Sequence, residues 1–422
     1  MGSVEKTVKN IKFRINKKQQ EEEEMSLLIE KFQKLGCDNA PGQEGRQNLN
    51  DLKLVGETLS GRLVDFSHGD VDAFEPTPGA LEVFLKGYQI GGKVAYTEYK
   101  GAKAICEHIA AKLTEFSGAP VDYKEVIITP GTQAALFLVM GATVVRGTKV
   151  AIVEPDYFAN RKLVEFFEGE MFPIQMDYMA AADKAKAGLD LTELEKAFKA
   201  GVEVFLFSNP NNPTGVIYSA EEVTQIAKLA RQYNVTVIAD ELYSRQIFED
   251  HSYTHLRAQD VCPDNVVTII GPSKTESLSG FRLGVAYGAP GIIERMEKLQ
   301  AIVSLRAPGY SQKVLETWFA EPHGWMADRI LQHQAIRDDI IKVLAATPGV
   351  KYRKTDGGSY LFVELPALTV DIATFVKILK VQANLIVTPG TEFGPDFTKH
   401  FRVNFSQDHQ AAVDAIKRAM KV

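Results

Sequence analysis

Short apolar runs alternate with longer amphipathic segments through the middle of the chain. Continuous apolar runs are typical of strands buried on both faces, and the segments between most of them repeat at helical spacing. Helices are predicted, for example, at Ala134–Val145 and Ala220–Tyr233. The predicted strands are Val126–Thr129, Val150–Val153, Val204–Phe207, Val235–Ala239, Val266–Ile270 and Leu283–Tyr287. This alternation predicts an α/β fold with a mostly parallel sheet between helices.

The two ends of the chain differ from this middle part. Residues 1–25 pass from a basic start into a run of glutamates and are expected to form a solvated N-terminal arm. We assign residues 26–75 to the N-terminal part of a small domain and residues 76–310 to the large domain. Residues 311–422 are expected to complete the small domain, of α+β type. Its predicted strands are Ser359–Glu364, Leu385–Val387 and Phe401–Phe405.

Composition narrows the choice of partners and compartment. The formal net charge of −6 provides no basic surface, so no nucleic-acid partner is expected. The three cysteines are widely spaced and form neither a metal pattern nor a disulfide framework, which favours a reducing compartment. No apolar run approaches the length that crosses a membrane, and the N-terminus has no apolar signal core. We therefore expect a cytoplasmic protein without a metal or membrane partner.

A lysine and an arginine follow the predicted strand Val266–Ile270. Lys274 comes after a Gly-Pro-Ser turn, and Arg282 follows eight residues later. A lysine near low-dielectric walls can present a neutral amine that forms an imine with a carbonyl group. The planar guanidinium of an arginine suits a phosphate. The pair therefore indicates pyridoxal phosphate (PLP), with a solvated pair of charges as the alternative.

Other strand ends carry residues that suit the same ligand. Thr132 and Gln133 lie in a turn that opens a helix, where backbone N–H groups can bind phosphate, although such a turn can also be a plain helix cap. Tyr157 follows the strand Val150–Val153 and could stack on a planar ring, or simply pack. The turn SNPNNPTG, which contains Asn212, follows Val204–Phe207 and is too specific for an ordinary turn.

Two further charged residues need partners of opposite charge. Asp240 ends the strand Val235–Ala239, and a protonated pyridine nitrogen would satisfy it and keep the ring an electron sink. Tyr243, three residues later, could hydrogen-bond the phenolic oxygen of that ring. Arg402 lies inside an apolar strand, where a substrate carboxylate is a plausible partner.

Together and in this order, SNPNNPTG, ADELYS and SKTESLSGFRLG resemble the motifs of the class I/II PLP-dependent aminotransferases, which are aspartate-aminotransferase-like enzymes of fold type I. The resemblance extends from about Val64 to the end of the chain. It implies a large domain with a mostly parallel seven-stranded sheet between helices, and a smaller α+β domain. It also implies amino acid and 2-oxo acid substrates and a homodimer with shared active sites.

The resemblance implies roles for individual residues. Lys274 is similar to the Schiff-base lysine that also carries the substrate proton, and Asp240 to the partner of the pyridine nitrogen. Asn212 and Tyr243 match the ligands of the ring oxygen. The other matches are the ring-stacking Tyr157, the phosphate ligands Thr132, Gln133, Ser273 and Arg282, the α-carboxylate ligand Arg402, the glycine Gly69 over the substrate, and Tyr96, which in the family reaches the phosphate of the neighbouring subunit.

Two positions depart from the family pattern. Gly271 stands where many members carry a serine that binds the phosphate. The segment around Arg306 falls where members place contacts to the substrate side chain, but its sequence is not a familiar one. We hypothesise that Arg306 binds an acidic side chain, and the alternative is a surface or interface charge.

The sequence thus predicts a PLP-dependent aminotransferase that moves the amino group of an L-amino acid to a 2-oxo acid through a Lys274 Schiff base. The alternative on the same scaffold is β- or γ-elimination, as in carbon–sulfur lyases or aminocyclopropane-carboxylate synthases. A PLP-binding transcription regulator would need a basic DNA-binding domain before Val64. The residues that precede Val64 are acidic as often as basic, which argues against a regulator.

Overall fold

The computed structural model of the 422-residue chain describes residues 26–37, 49, 52, 54, 56–69, 73–182, 186–249, 251–260 and 264–422. The N-terminal arm assigned to residues 1–25 lies outside the described residues.

The described chain contains helices and strands whose bounds agree closely with the sequence pattern. The strands are β1 (Val64–Asp65), β2 (Val126–Thr129), β3 (Lys149–Glu154), β4 (Glu170–Gln175), β5 (Val204–Ser208), β6 (Thr236–Asp240), β7 (Val266–Ile270), β8 (Gly284–Gly288), β9 (Tyr360–Glu364), β10 (Leu385–Ile386), β11 (Thr388–Pro389) and β12 (His400–Asn404). The helices are α1 (residues 26–35), α2 (Ala80–Ile90), α3 (Gly92–Ala95), α4 (Lys103–Ser117), α5 (Thr132–Thr143), α6 (Phe158–Phe166), α7 (Leu191–Lys199), α8 (Ala220–Tyr233), α9 (Pro290–Val303), α10 (Gly309–Gln312), α11 (Trp325–Ala345), α12 (Ile372–Gln382) and α13 (His409–Ala419). Within the described part of the chain, no helix is long and apolar enough to cross a membrane.

A seven-stranded sheet forms the centre of the larger part, in the order β2-β8-β7-β6-β5-β3-β4. Only β8 runs antiparallel to its neighbours β2 and β7, and the other pairings are parallel. The predicted α/β fold with a mostly parallel seven-stranded sheet is therefore confirmed. The sequence pattern missed β4, because this edge strand is largely solvent-accessible and contains Pro173 instead of a continuous apolar run.

Apolar side chains cover the sheet on both faces, as the continuous apolar strands require. One core cluster includes residues of α7 and α8, and a second on the other face includes residues of α5 and α9. Strands β2, β5, β7 and β8 are buried at every position. Because these four strands are buried along their whole length, their neighbourhood offers functional groups access to the solvent only at the strand ends.

The smaller part has an antiparallel sheet in the order β11-β12-β9 and its own apolar core. Strand β1 pairs in parallel with β10, which attaches the segment before α2 to this part. The turn around Val314, Leu315 and Trp318 instead packs in one cluster with Ile105 and Leu113 of α4. The domain division stays a prediction, and these contacts favour a boundary somewhat beyond residue 311.

The register of the sheet places the strand ends that carry the candidate site side by side. Ser208 at the end of β5 pairs with Asp240 at the end of β6, and Asp240 pairs with Ile269 in β7. Lys274 follows β7 after a turn. The carboxyl ends of adjacent parallel strands meet at one edge, so these side chains are delivered to a common cavity.

Gly284 allows β8 to approach the start of α5. A Cβ atom at Gly284 would overlap the backbone of Gly131 and Thr132. We expect Gly284→Ala to lower the free energy of unfolding by about 1–3 kcal/mol, because the backbone must shift to make room. Urea unfolding of the apo-protein measures this change. Gly291→Ala is the matched control, since its Cβ would meet nothing within 4 Å; equal losses for the two variants would contradict the packing argument.

Candidate active site

A cavity of about 210 Å³ lies at the carboxyl ends of β3, β5 and β6. Among its lining residues are eight predicted site residues: Thr132, Gln133, Tyr157, Asn212, Asp240, Tyr243, Lys274 and Arg402. Gly69 and Ser273 line an adjoining cavity of about 550 Å³, which Lys274 and Tyr243 also line. Arg282 and Tyr96 line neither cavity. The structure therefore brings most of the predicted residues together, with two of them outside the lining of both cavities.

The start of α5 forms one end of the smaller cavity. Gly131, with φ of 85°, precedes the helix, and a Cβ there would overlap the guanidinium of Arg282. Arg282 donates to the carbonyl of Pro130 at 3.5 Å, so its charge lies beside the helix N-terminus. Helix N–H groups and a guanidinium together suit a phosphate. Arg282 thus lies next to the cavity, behind the turn that precedes α5.

Thr132 accounts for the missing serine at position 271. A Cβ at Gly271 would come within 2.9 Å of the Thr132 Cγ2 atom. The methyl group of Thr132 therefore occupies the space that a side chain at Gly271 would need. Thr132, at the start of α5, thus carries a hydroxyl group beside the position where Gly271 has no side chain.

The carboxyl group of Asp240 lies at the end of β6 and accepts a hydrogen bond from the backbone N–H of Leu242 at 3.1 Å. Removal from water raises the pKa of Asp240 to about 6; the negative charge of Glu241 adds to this, while that hydrogen bond and the charge of Lys274 oppose it. A carboxyl group in this state is stabilised by a cationic partner. The aromatic ring of Tyr157, whose hydroxyl donates to Gln133 at 2.8 Å, lines the same cavity.

Asp156 is a buried residue that the sequence analysis did not single out. It accepts hydrogen bonds from the backbone N–H groups of Tyr157 at 2.6 Å and Ser208 at 3.0 Å, and from the Ser208 hydroxyl. The Ser208 hydroxyl in turn accepts from the backbone N–H of Asn212 at 3.2 Å. Burial raises the pKa of Asp156 to about 7. The signal available in the sequence was an aspartate two residues after a buried strand, and in the structure this aspartate joins the turn after β3 to the turn after β5.

Arg402 is held in a defined orientation on β12. Its guanidinium donates to the Asn212 side-chain oxygen at 3.1 Å and to the Ser67 carbonyl at 2.6 Å, and it stacks over the ring of Tyr360 at 4.5 Å. Arg402 is only 2% exposed, and its Nε atom has no hydrogen-bond partner among the described residues. A buried guanidinium with no carboxylate partner in the described chain is suited to binding an anionic ligand.

Two hydrogen-bonded groups flank Lys274. The hydroxyls of Tyr243 and Tyr360 lie 2.6 Å apart and share a hydrogen bond at the cavity wall. Arg245, two residues after Tyr243, forms an ion pair with Glu276, two residues after Lys274. Arg245 also donates to both carboxylate oxygens of Glu321, at 2.8 and 3.0 Å. This buried network, which the sequence analysis missed, ties the segment after β6 to the loop that carries Lys274.

Tyr96 and Arg306 lie together on the surface, away from both cavities. The Tyr96 side chain is 76% exposed, and the Arg306 guanidinium lies 4.7 Å from the centre of its ring. Arg306 also donates to the carbonyl of Thr97 at 2.6 Å. Within this chain Arg306 therefore contacts no substrate cavity, which favours the alternative interpretation of Arg306 as a surface or interface charge.

The residues of the smaller cavity fit PLP. The start of α5 and the neighbouring Arg282 offer an anion site, Asp240 offers a carboxyl group that requires a cation, and Lys274 offers an amine in the same cavity. The profile of the family described as aminotransferase class I and II matches residues 62–418. The chain belongs to this family. Its PLP cofactor and its activity as an amino-group transferase, which interconverts amino acids and 2-oxo acids, follow from this membership.

Named relatives of this aminotransferase cover most of its length. An aspartate aminotransferase of Sulfolobus acidocaldarius is 26% identical over 85% of this chain and 89% of its own. A solved aspartate aminotransferase of Rhodobacter sphaeroides is 61% identical, covers 93% of this chain and 98% of its own, and superposes with a TM-score of 0.88. The aspartate aminotransferase of Thermus thermophilus with maleate, at 22% identity over 85% of this chain and 91% of its own, has the same fold with a TM-score of 0.76.

The raised pKa of Asp240 has a consequence for the apo-protein. Because the folded-state pKa of about 6 exceeds the usual value of 3.8, the stability gained from the proton is complete below pH 4 and is lost as the pH rises through 6. Between pH 4 and 6 the free energy of unfolding should fall in the unsubstituted protein. In Asp240→Asn this fall should be smaller by about 1–3 kcal/mol. Urea unfolding across this range measures it.

The exposed Asp396 supplies the control for this titration. Asp396→Asn should retain the pH dependence of the unsubstituted protein. Identical slopes for the unsubstituted protein and Asp240→Asn would show that Asp240 titrates normally and would contradict the assignment.

Proposed function

We propose that this aminotransferase transfers the amino group of an L-amino acid to a 2-oxo acid with PLP linked covalently to Lys274. The observation that carries the proposal is the single cavity in which Lys274, Asp240, Asn212, Tyr243 and Arg402 meet. Bound PLP supplies a reactive carbonyl carbon and an aromatic ring that withdraws electrons.

Lys274 has two tasks in the proposed reaction. Its amine would hold the cofactor before the substrate arrives, and once displaced it would act as the base that accepts the proton of the substrate α-carbon and as the acid that donates it again. A base at this position must lie within hydrogen-bond reach of the proton that it accepts. Lys274 lines both cavities, which supports both tasks, because the smaller cavity contains the cofactor residues together with Arg402 and the larger one gives a substrate side chain room to extend.

Asp240, Asn212 and Tyr243 set the polarity of the site. Asp240 would keep a proton on the ring nitrogen, because the protonated nitrogen is the cation that stabilises the buried carboxylate of Asp240. Asn212 and Tyr243 would hydrogen-bond the ring oxygen on the opposite side. Thr132, Gln133, Ser273 and Arg282 would bind the phosphate. Tyr157 would stack on the ring.

Arg402 would orient the substrate through its α-carboxylate, with Gly69 lying over the substrate. Asn212 and Ser67 already hold the guanidinium in place, so little rotamer freedom is lost on binding. The named relatives make aspartate a candidate donor. Among the described residues that line the two cavities, the guanidinium groups are those of Arg62 and Arg402.

Lys274→Ala should reduce turnover by at least about 100-fold, because the residue acts as the general base. A panel of amino acids with pyruvate or 2-oxoglutarate, followed by both oxo-acid and ammonia release, measures turnover and separates amino transfer from elimination. Lys100→Ala is the control, since Lys100 donates to the Lys124 carbonyl and lines neither cavity. Ammonia release in place of amino transfer in the unsubstituted protein would favour elimination, and unchanged turnover in Lys274→Ala would contradict the assigned role.

Arg402→Lys keeps the positive charge but loses the planar guanidinium group, whose paired N–H donors match a carboxylate. We expect kcat/KM to fall by an amount equivalent to about 2–4 kcal/mol, with the visible absorption of bound PLP nearly unchanged. Amines without a carboxylate provide the comparison, because they do not need Arg402. An equal loss for these amines would point to a structural role instead.

We further propose that two copies of the chain form a dimer in which Tyr96 serves the phosphate site of the partner. Tyr96 lines neither cavity of its own chain, and it is the C-cap residue of α3, which contacts α2, a helix with several exposed apolar side chains. Such a surface is typical of a protein interface. The exposed large apolar residues of α2, and of the end of α9 with the residues just after it, are Leu81, Leu85, Tyr88, Ile90, Ile302, Val303 and Leu305.

Refolding Lys274→Ala together with Tyr96→Ala at limiting PLP tests this arrangement. Random pairing makes half of the dimers hybrid, and each hybrid has one site with both native residues, so about a quarter of the sites should recover activity. Differential tags confirm that hybrids form. If each Tyr96 serves its own chain, every hybrid site keeps one lesion and mixing restores nothing.

A further inference from the structure

The larger cavity, of about 550 Å³, adjoins the PLP cavity and shares Lys274 with it. Asn404 and Ser406 line its wall. Both side chains lie beside Gly69: a Cβ atom at Gly69 would be 3.8 Å from Asn404 Nδ2 and 3.5 Å from Ser406 Oγ. A group that enters this cavity beside Gly69 therefore meets these two polar atoms first.

A buried histidine determines which way the Ser406 hydroxyl points. His333 Nδ1 lies 2.8 Å from the carbonyl oxygen of Arg329, which can only accept, so Nδ1 carries the proton. Burial lowers the pKa of His333 to about 4, so the ring is neutral at pH 7 and its Nε2 can only accept. Ser406 Oγ, at 2.9 Å, therefore donates its proton to Nε2. The lone pairs of Ser406 remain available to the cavity as acceptors.

Asn404 supplies the complementary donor. Its side-chain oxygen accepts from the backbone N–H of Ser406 at 3.0 Å, which fixes the orientation of the amide. Asn404 lines the larger cavity, and no hydrogen bond among the described residues has its Nδ2 group as the donor. An N–H donor that faces a cavity is suited to a ligand group that can accept from it.

We propose that Asn404 and Ser406 bind the side-chain carboxamide of the substrate, so that an asparagine-like donor and its oxo acid are preferred over aspartate. The amide oxygen accepts from Asn404, and the amide N–H donates to Ser406. This inference rests on the proposed function, because it places the α-carboxylate on Arg402. Asn404 and Arg402 are two residues apart on β12, so their side chains leave the same face about 7 Å apart.

A carboxylate matches this pair less well than a carboxamide. One of its oxygens could accept from Asn404, but the other would face the lone pairs of Ser406. Turning the Ser406 hydroxyl toward the ligand would leave His333 Nε2 buried without a donor. An unmatched buried polar group of this kind lowers affinity by about tenfold. Arg62 lines the same cavity, and the competing arrangement is one in which its guanidinium binds the side-chain carboxylate of an acidic substrate.

Two amine-free analogues test the inference on the PLP-loaded enzyme. Succinamate carries the carboxamide and succinate carries the carboxylate, and neither can react. Their inhibition constants are measured against a donor that the enzyme converts. We expect succinamate to bind about tenfold more tightly than succinate. Equal binding, or tighter binding of succinate that is lost in Arg62→Ala, would overturn the inference.

Three variants separate the hydrogen-bonding pair from general effects on the cavity. Ser406→Ala should abolish the preference for succinamate. His333→Phe keeps a ring against Phe74, with which His333 stacks at 4.1 Å, but frees the Ser406 proton, so succinate should gain relative to succinamate. Ser279→Ala removes a hydroxyl from elsewhere in the same cavity and should leave the ratio unchanged. An unchanged ratio in Ser406→Ala would overturn the inference even if His333→Phe does not fold.

The same experiment distinguishes the two levels of the proposal. If the enzyme converts no amino acid in any combination of the panel, the proposed function is wrong. If it transfers amino groups but the ratio of the two inhibition constants is one, the proposed function stands and only the assignment of Asn404 and Ser406 fails.

Discussion

The carboxyl group of Asp240 constrains the rest of the active site. It lies at the end of a central strand, and its removal from water raises its pKa to about 6, so a proton or a cation must accompany it. The adjoining strand ends supply what a cationic aromatic ligand with an anionic tail requires: the ring of Tyr157, the start of α5 and the amine of Lys274. The parallel sheet makes this possible because it brings these ends to one edge.

A hydrogen-bonded chain connects the buried groups to the substrate side of the cavity. Asp156 holds Ser208, Ser208 holds the backbone of Asn212, and the side chain of Asn212 holds Arg402. A substitution at Asp156 should therefore alter the orientation of Arg402, since each group in this series of hydrogen bonds has its geometry set by its neighbour. This chain of hydrogen bonds involves the groups that would bind the cofactor and the α-carboxylate, whereas we assign the discrimination between donors to Asn404 and Ser406 in the adjoining cavity.

The sequence predicts the central strands well because they are buried on both faces and read as continuous apolar runs. It misses β4, an edge strand whose composition does not need to be apolar, and it does not predict the pairing of β1 with β10, which depends on contacts distant in the chain. Motifs at strand ends identify Asp240 and Lys274, but Asp156 and His333 act through neighbours that no local pattern connects. Tyr96 and Arg306 lie on the surface, so their roles depend on a partner that this chain alone does not define.

The protonation of the PLP ring nitrogen tests the account most directly. The nitrogen-15 chemical shift of ring-labelled PLP, measured on the loaded protein near neutral pH, distinguishes a protonated from a neutral nitrogen. The account predicts a protonated nitrogen in the unsubstituted protein and a neutral one in Asp240→Asn with the cofactor still bound. A neutral nitrogen in the unsubstituted protein, or a protonated one in Asp240→Asn, would contradict it.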